Sequence, residues 1–161
     1  MTRWFLPLAL LVLACAPVNV AATHATAPDD PELRELVRLV NGARARAGLR
    51  PLAWNARLAE VAEAHSEDML KRHYFSHVDP NRRDPFARMR AAGLEFQAAA
   101  ENIAAGQTSA QAVFESWMDS PHHRENIMGR AYTEQGIGRF ANHWTHCFMT
   151  PRPIITPRRF R

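Results

Sequence analysis

The segment 117–128 carries a strong local folding signal, because a tryptophan at the end of one predicted helix is followed at once by a helix start. Ser120 is a favoured N-cap residue, and Pro121 suits the first helical position, where a missing N–H costs no hydrogen bond. This start makes His123 the third residue of a new helix. The positive end of a helix disfavours the imidazolium form, and a neutral imidazole can accept a proton or bind a metal. The alternative is a surface turn with solvated histidines.

Residues 1–22 are predicted to be an export leader. Arg3 supplies a positive charge, and the apolar run 4–14 is too short to span a bilayer as a helix. Two processing routes fit: lipid attachment to Cys15, which follows a lipobox-like sequence, or ordinary cleavage after Ala22. Either route predicts an exported protein, located in the periplasm, on the outer membrane or outside the cell. The lipid on Cys15 is the one membrane contact that we expect.

Beyond the leader, we expect a linker at 23–30, a single domain at 31–150 and a basic tail at 151–161. With 47% hydrophobic and 22% charged residues, the chain has the composition of a soluble globular protein. Because the leader contains one of the two cysteines, the domain must be stable without an internal disulfide. Its basic residues are scattered and lack interleaved aromatic side chains, so we expect no nucleic-acid partner. We expect a monomer.

Apolar spacing and capping residues predict four helices before the one that starts at Ser120, together with a small set of strands. The helices start at Asp30-Pro31, Asn55, Asp84-Pro85 and Thr108, the last with Gln111 completing a capping box. Strand-like runs cover 135–140 and 143–150, and 100–104 is a weaker extended segment. In the second helix, His65 lies on the apolar stripe and is predicted to be a hydrogen-bonded core histidine. Helices around a small antiparallel sheet indicate an α+β fold or a three-layer sandwich.

Four motifs occur in the order seen in the CAP superfamily, which includes cysteine-rich secretory proteins, insect venom antigens and plant pathogenesis-related proteins. They are Phe75-Ser76-His77, the run 101–106 that begins Glu101-Asn102, the run 117–127, and Gly136-Ile137-Gly138. Over residues 30–150 the chain resembles the bacterial branch of this superfamily. The resemblance implies a three-layer α-β-α sandwich with a central antiparallel sheet and a cleft open to solvent.

In many members of the superfamily, two histidines and two acids line that cleft. Matched by motif, His77 and His123 correspond to the histidines, and Glu101 corresponds to the first acid. The position of the second acid is Ser120, so the set is incomplete. His122 replaces a glycine that usually precedes the second histidine, which adds bulk or a further ligand at the rim. The resemblance therefore assigns the ligand cleft to His77, Glu101, Ser120 and His123.

Two histidines and a glutamate match a ligand set of catalytic zinc sites, which keep a fourth position for water. Zinc is therefore the candidate cofactor, with His77 and His123 as its candidate ligands. Zinc lowers the pKa of bound water to roughly 7, but hydrolysis also needs a general base, and Ser120 removes the obvious one. Glu101 has a structural alternative. An isolated buried charge is costly, so this carboxylate can instead pair with a cation or hold the cleft wall through a histidine.

Three functions remain open from the sequence. The favoured one is an exported, non-enzymatic module whose cleft binds a ligand, either a lipid or an envelope glycan. The alternative is a metal-dependent hydrolase of peptide or ester bonds that uses His77, Glu101 and His123. The third is an envelope protein that acts through protein contacts alone. The missing second acid lowers the weight of the enzymatic hypothesis, so we lean towards a protein that is not an enzyme.

Overall fold

A computed structural model describes residues 28–153, which form five helices and four strands. In chain order these are α1 (Pro31–Arg46), β1 (Ala53–Trp54), α2 (Ala56–Lys71), α3 (Pro85–Ala91), β2 (Phe96–Ala105), α4 (Ala110–Asp119), α5 (Pro121–Met128), β3 (Glu134–Phe140) and β4 (His143–Pro151). The predicted leader with Cys15, most of the predicted linker and the end of the basic tail lie outside this range. Across residues 28–153, no helix is long and apolar enough to cross a bilayer.

Most helices start at the predicted capping residues. The side chains of Asp30, Asn55 and Asp84 each accept a backbone N–H from the first turn of the helix that follows. The prediction for α4 is wrong by one residue, because Ser109 rather than Thr108 accepts the N–H of Ala112, at 3.2 Å. Both residues are good caps, and only the backbone geometry separates them. The predicted capping box is also absent, since the Gln111 amide donates to Glu115.

The sheet has the strand order β1-β3-β4-β2. Strands β2 and β3 both run antiparallel to β4, as the sequence predicts for the central sheet. The short strand β1 joins the edge in parallel with β3, through the pairs Ala53↔Glu134 and Trp54↔Gln135. Helices α2 and α3 cover one face of the sheet, and α1, α4 and α5 cover the other. The fold is thus the three-layer α-β-α sandwich.

Alternating side chains of β4 supply both cores. Trp144 and Phe148 pack with α1, α4 and α5, whereas Cys147 and Met149 pack with α2 and α3. This division follows from the period-two alternation of side chains along a strand. Trp117 is fully buried in the first core, where its indole N–H donates to the carbonyl of Ile103 at 3.1 Å.

Candidate functional site

Glu101 is at the centre of the candidate site. It lies in the middle of β2, and its side chain is only 1% exposed. One carboxylate oxygen, Oε1, accepts a hydrogen bond from Nδ1 of His77 at 2.8 Å. The other, Oε2, accepts from the guanidinium of Arg88 at 2.7 Å. The structure therefore shows the paired arrangement that the sequence left as the structural alternative for this carboxylate.

Two further buried groups approach the same carboxylate. His65 on α2 has its Nε2 3.9 Å from Glu101 Oε1, although that nitrogen also lies 3.1 Å from the carbonyl oxygen of Ser76. Burial lowers the pKa of His65, which favours its neutral form. The thiol of Cys147 lies 3.8 Å from Glu101 Oε2, and burial followed by the Glu101 charge raises its pKa well above the ordinary value. His65 is thus the predicted core histidine, and Cys147 is an unreactive thiol at neutral pH.

His77 lies in the loop between α2 and α3. Its side chain is 46% exposed, so the ring has one edge against Glu101 and one edge towards solvent. The main chain of this loop is also fixed, because Arg88 donates to the carbonyl of His77 at 2.8 Å. Phe75 and Val78, on either side of His77 in the loop, are exposed large hydrophobic residues. The loop therefore presents an imidazole edge between two apolar side chains.

His123 is the third residue of α5, as predicted from the Ser120-Pro121 start. Its carbonyl accepts a hydrogen bond from the amide of Asn102 at 3.0 Å, and Asn126 donates to Asn102 at 2.8 Å. These bonds tie α5 to the residue next to Glu101. Burial lowers the pKa of His123, and the nearby imidazoles of His77 and His122 lower it further. His77 and His123 are therefore electrostatic neighbours, and the neutral form of His123 is favoured.

Ser120 occupies the N-cap position of α5, but its hydroxyl makes no capping hydrogen bond. Ser120 is therefore the predicted N-cap residue by position, but its side chain does not cap the helix. The helix begins instead through main-chain bonding, since the Ser120 carbonyl accepts the N–H of Arg124 at 2.9 Å. Pro121 also removes one unpaired donor from the first turn. At the position of the second acid, this chain consequently has an uncharged hydroxyl that is not used by the helix.

The arrangement can be tested against the zinc site that the sequence suggests. Within residues 28–153, no three side chains of His, Cys, Asp or Glu are grouped so that they could hold a metal ion together. Both Glu101 oxygens already accept hydrogen bonds, from His77 and from Arg88. A three-ligand site of His77, Glu101 and His123 does not fit this geometry. Zinc bound by the two histidines stays a prediction.

A cavity of about 230 Å³ lies behind the site, between α2, α3 and the loop that joins them. Its walls combine apolar and charged side chains: Val61, Ala64, His65, Asp68, Asp79, Arg83, Arg88 and Ala91. The side chains of His65 and Arg88 line this cavity and also approach Glu101. The polar cluster around Glu101 is thus continuous with the lining of this cavity.

Comparison with known proteins adds to this geometry. Residues 37–148 match the family described as CAP, the cysteine-rich secretory protein family. This chain belongs to the CAP family. Among curated relatives, YkwD of Bacillus subtilis is 36% identical over 140 residues, which cover 83% of this chain and 54% of YkwD. The CAP chain thus spans about half the length of that relative.

Solved structures agree with the family assignment. An extracellular protein containing an SCP domain, from Bacillus anthracis, matches with a TM-score of 0.70 and 35% identity, over 71% of this chain and 39% of that one. An outer surface protein of Borrelia burgdorferi matches with a TM-score of 0.71 at 18% identity, over 75% of this chain and 93% of that one. The second match shows the common fold alone. This CAP domain is therefore of the bacterial type.

The motifs of the CAP family identified His77, Glu101 and His123, which the structure brings into one cluster. They did not identify Arg88. Its signal in the sequence is indirect. A glutamate among alanines needs a cation, yet several arginines on α3 and in the preceding loop are candidates. Only the packing of α3 against β2 selects Arg88.

Proposed function

We propose that this chain is an exported, non-enzymatic CAP module of the bacterial envelope, and that its cleft binds a lipid or an envelope glycan. The observation that carries the proposal is the engagement of Glu101. A general base must lie within hydrogen-bond reach of the substrate proton, but this carboxylate is 1% exposed, and its two oxygens face His77 and Arg88. Ser120 provides no second acid. What the cleft offers is imidazole edges and a hydroxyl, which are groups suited to holding a neutral, hydrogen-bonding ligand.

Export is supported by the predicted leader and by the relatives. The Bacillus anthracis protein, at 35% identity, is described as extracellular. Residues 28–153 contain a single cysteine, which is buried, so the family fold forms without a disulfide within this range. An oxidising destination therefore poses no threat of mispairing within the described domain, and the core supplies the stability.

The proposal is tested by two binding measurements on the mature chain. Soluble peptidoglycan fragments are titrated in a calorimeter, and vesicles of phosphatidylglycerol and phosphatidylethanolamine are used in a sedimentation assay. We expect one of the two probes to bind, and His77→Ala and His123→Ala to weaken that binding at least tenfold. Arg38→Ala is the control, because this exposed side chain pairs with Glu35 on α1, across the sheet from the α2–α3 loop that carries His77. Equal binding by all variants would place the ligand elsewhere, and binding of neither probe would contradict the proposal.

The alternative function is a metal-dependent hydrolase, and one observation favours it. Metal ligation requires neutral imidazole, and the lowered pKa of His123 meets that requirement. Zinc-dependent cleavage of a peptide or ester substrate by the mature chain, lost in His123→Ala, would establish this alternative instead.

A further inference from the structure

Arg88 is a buried cation between the cleft and the α2–α3 cavity. Its side chain is 8% exposed, and it makes contacts in three directions. One terminal nitrogen, Nη2, donates to Glu101 at 2.7 Å, and the other, Nη1, donates to the carbonyls of His77 at 2.8 Å and Arg83 at 3.0 Å. A guanidinium stays charged at every pH that a folded protein survives, and its planar fork fixes the direction of each bond. Arg88 thus holds both the carboxylate and the main chain that carries His77.

We propose that Arg88 is a positioning residue that sets the tautomer of His77 and thereby the hydrogen-bonding character of the cleft. The inference rests on the proposed function for its consequence, the choice of ligand. The mechanism itself depends only on the positions of the Arg88 guanidinium, the Glu101 carboxylate and the two ring nitrogens of His77.

The mechanism follows from the hydrogen-bond inventory of each group. An ionised carboxylate has acceptor oxygens only, and Arg88 places a permanent positive charge 2.7 Å from Oε2 of Glu101. The Nδ1 atom of His77, 2.8 Å from Oε1, must then be the donor. A neutral imidazole carries a single N–H, so Nε2 becomes an acceptor. Because Nδ1 points at buried Glu101 while the side chain is 46% exposed, this lone pair lies on the edge that faces solvent.

The remaining neighbours of Glu101 do not replace Arg88. His65 approaches Oε1 only to 3.9 Å, it is engaged by the carbonyl of Ser76, and burial favours its neutral form. The Cys147 thiol is protonated and contacts Oε2 at 3.8 Å, on the side already held by Arg88. On α5, His123 is an electrostatic neighbour of His77, and burial followed by the imidazoles of His77 and His122 lowers the pKa of His123, so it supplies no cation for Glu101. Arg88 is consequently the cation that decides which atom of His77 carries the proton.

The consequence concerns the chemistry of the ligand. With Nε2 as an acceptor, His77 favours a ligand that presents a hydroxyl or amino hydrogen, and it disfavours a bare acceptor such as a phosphate oxygen. The hydroxyl-rich surface of a glycan meets this requirement. A phospholipid meets it only through the hydroxyl or amino group at the end of its head group, next to a phosphate that His77 disfavours, so of the two ligand classes the tautomer favours the glycan.

The test reads the tautomer directly, from the two ring ¹⁵N chemical shifts of His77 in the ligand-free mature chain at pH 8. We expect a protonated Nδ1 and an unprotonated Nε2 in the native protein and in Arg88→Lys. In Arg88→Gln the preference should be lost. In Glu101→Gln it should invert, because Arg88 keeps the amide oxygen on its own side and turns the amide N–H₂ towards Nδ1. Arg90→Gln, two residues along α3 with its side chain over Phe96 at 5.0 Å, is the matched control.

A native-like tautomer in Arg88→Gln, a native-like tautomer in Glu101→Gln, or the same loss in Arg90→Gln would each overturn the proposal. Should Arg88→Gln fail to fold, the tautomer in Glu101→Gln decides alone: inversion supports the proposal and no change overturns it. These spectra are recorded without ligand. A failure of the cleft to bind glycan would therefore contradict the proposed function and leave the tautomer result standing.

Discussion

The substitution Gly138→Ala should destabilise the domain strongly, because α2 crosses β3 directly over this glycine. A methyl group at position 138 would lie 1.9 Å from the backbone nitrogen of Glu63, where ordinary contact begins at 3.4 Å, a deficit of 1.5 Å. The obstructing atoms belong to the main chain of α2, so no side chain can rotate away. Overpacking usually costs about 1–3 kcal/mol and occasionally more. We expect about 3 kcal/mol here, since α2 must move as a unit away from the sheet.

Urea titration of Gly138→Ala beside Gly42→Ala provides the measurement. Gly42 lies inside α1, where an added methyl would meet the Arg46 side chain at 3.5 Å, which is an ordinary contact. Replacing glycine by alanine in a helix interior stabilises by roughly 0.5–1 kcal/mol. The two variants should therefore shift the unfolding midpoint in opposite directions. A loss below about 1 kcal/mol for Gly138→Ala would refute the close packing of α2 on β3, since overpacking of main chain costs more than that.

Three further outcomes are expected. Trp117→Ala should cost about 3–5 kcal/mol in the same titration, because the ring is fully buried, and a loss under about 1 kcal/mol would contradict its core position. Burial, with a smaller effect of the Arg44 charge, lowers the pKa of His146 to about 3. As pH falls below about 6.5, His146 binds a proton in the unfolded chain but not in the folded one. The free energy of unfolding should therefore decrease between about pH 6.5 and 3, by roughly 2–3 kcal/mol at pH 4.5. The decrease should be smaller in His146→Leu. Calorimetric titration with zinc should show tighter binding by Ser120→Glu than by the native chain, and the affinity should weaken as pH falls because metal ligation needs neutral imidazole. Equal affinity in His77→Ala would place the ion elsewhere.

Local chemistry predicted most of the fold. Asp30, Asn55 and Asp84 mark helix starts because a cap is decided by the residue itself and its first turn. The exception, Ser109 for Thr108, concerns two adjacent residues with the same capping ability. The parallel pairing of β1 was not predictable, because two residues carry no periodicity. It depends on where β3 lies, which only the assembled sheet determines.

The candidate site was predictable in part. The need of Glu101 for a partner follows from burial of a charge, and the sequence left a cation or one of the histidines His77 and His123 as that partner. The structure shows both at once. Arg88 was missed because it is 13 residues away from Glu101 in the chain and sits among other arginines. The hydroxyl of Ser120 was misjudged because a sequence gives the identity of a cap and not its rotamer.

The central claim, that this CAP cleft binds a ligand without hydrolysing it, is tested most directly by one NMR titration. The mature chain, labelled at its histidines, is titrated with soluble peptidoglycan fragments, and the ligand signals are followed in the same tube for a day. We predict saturable shifts at His77 and His123, unchanged signals of His146, which is fully buried in the core, and intact ligand at the end. Unperturbed resonances of His77 and His123 at saturating ligand, or conversion of the ligand that stops in His123→Ala, would contradict the account.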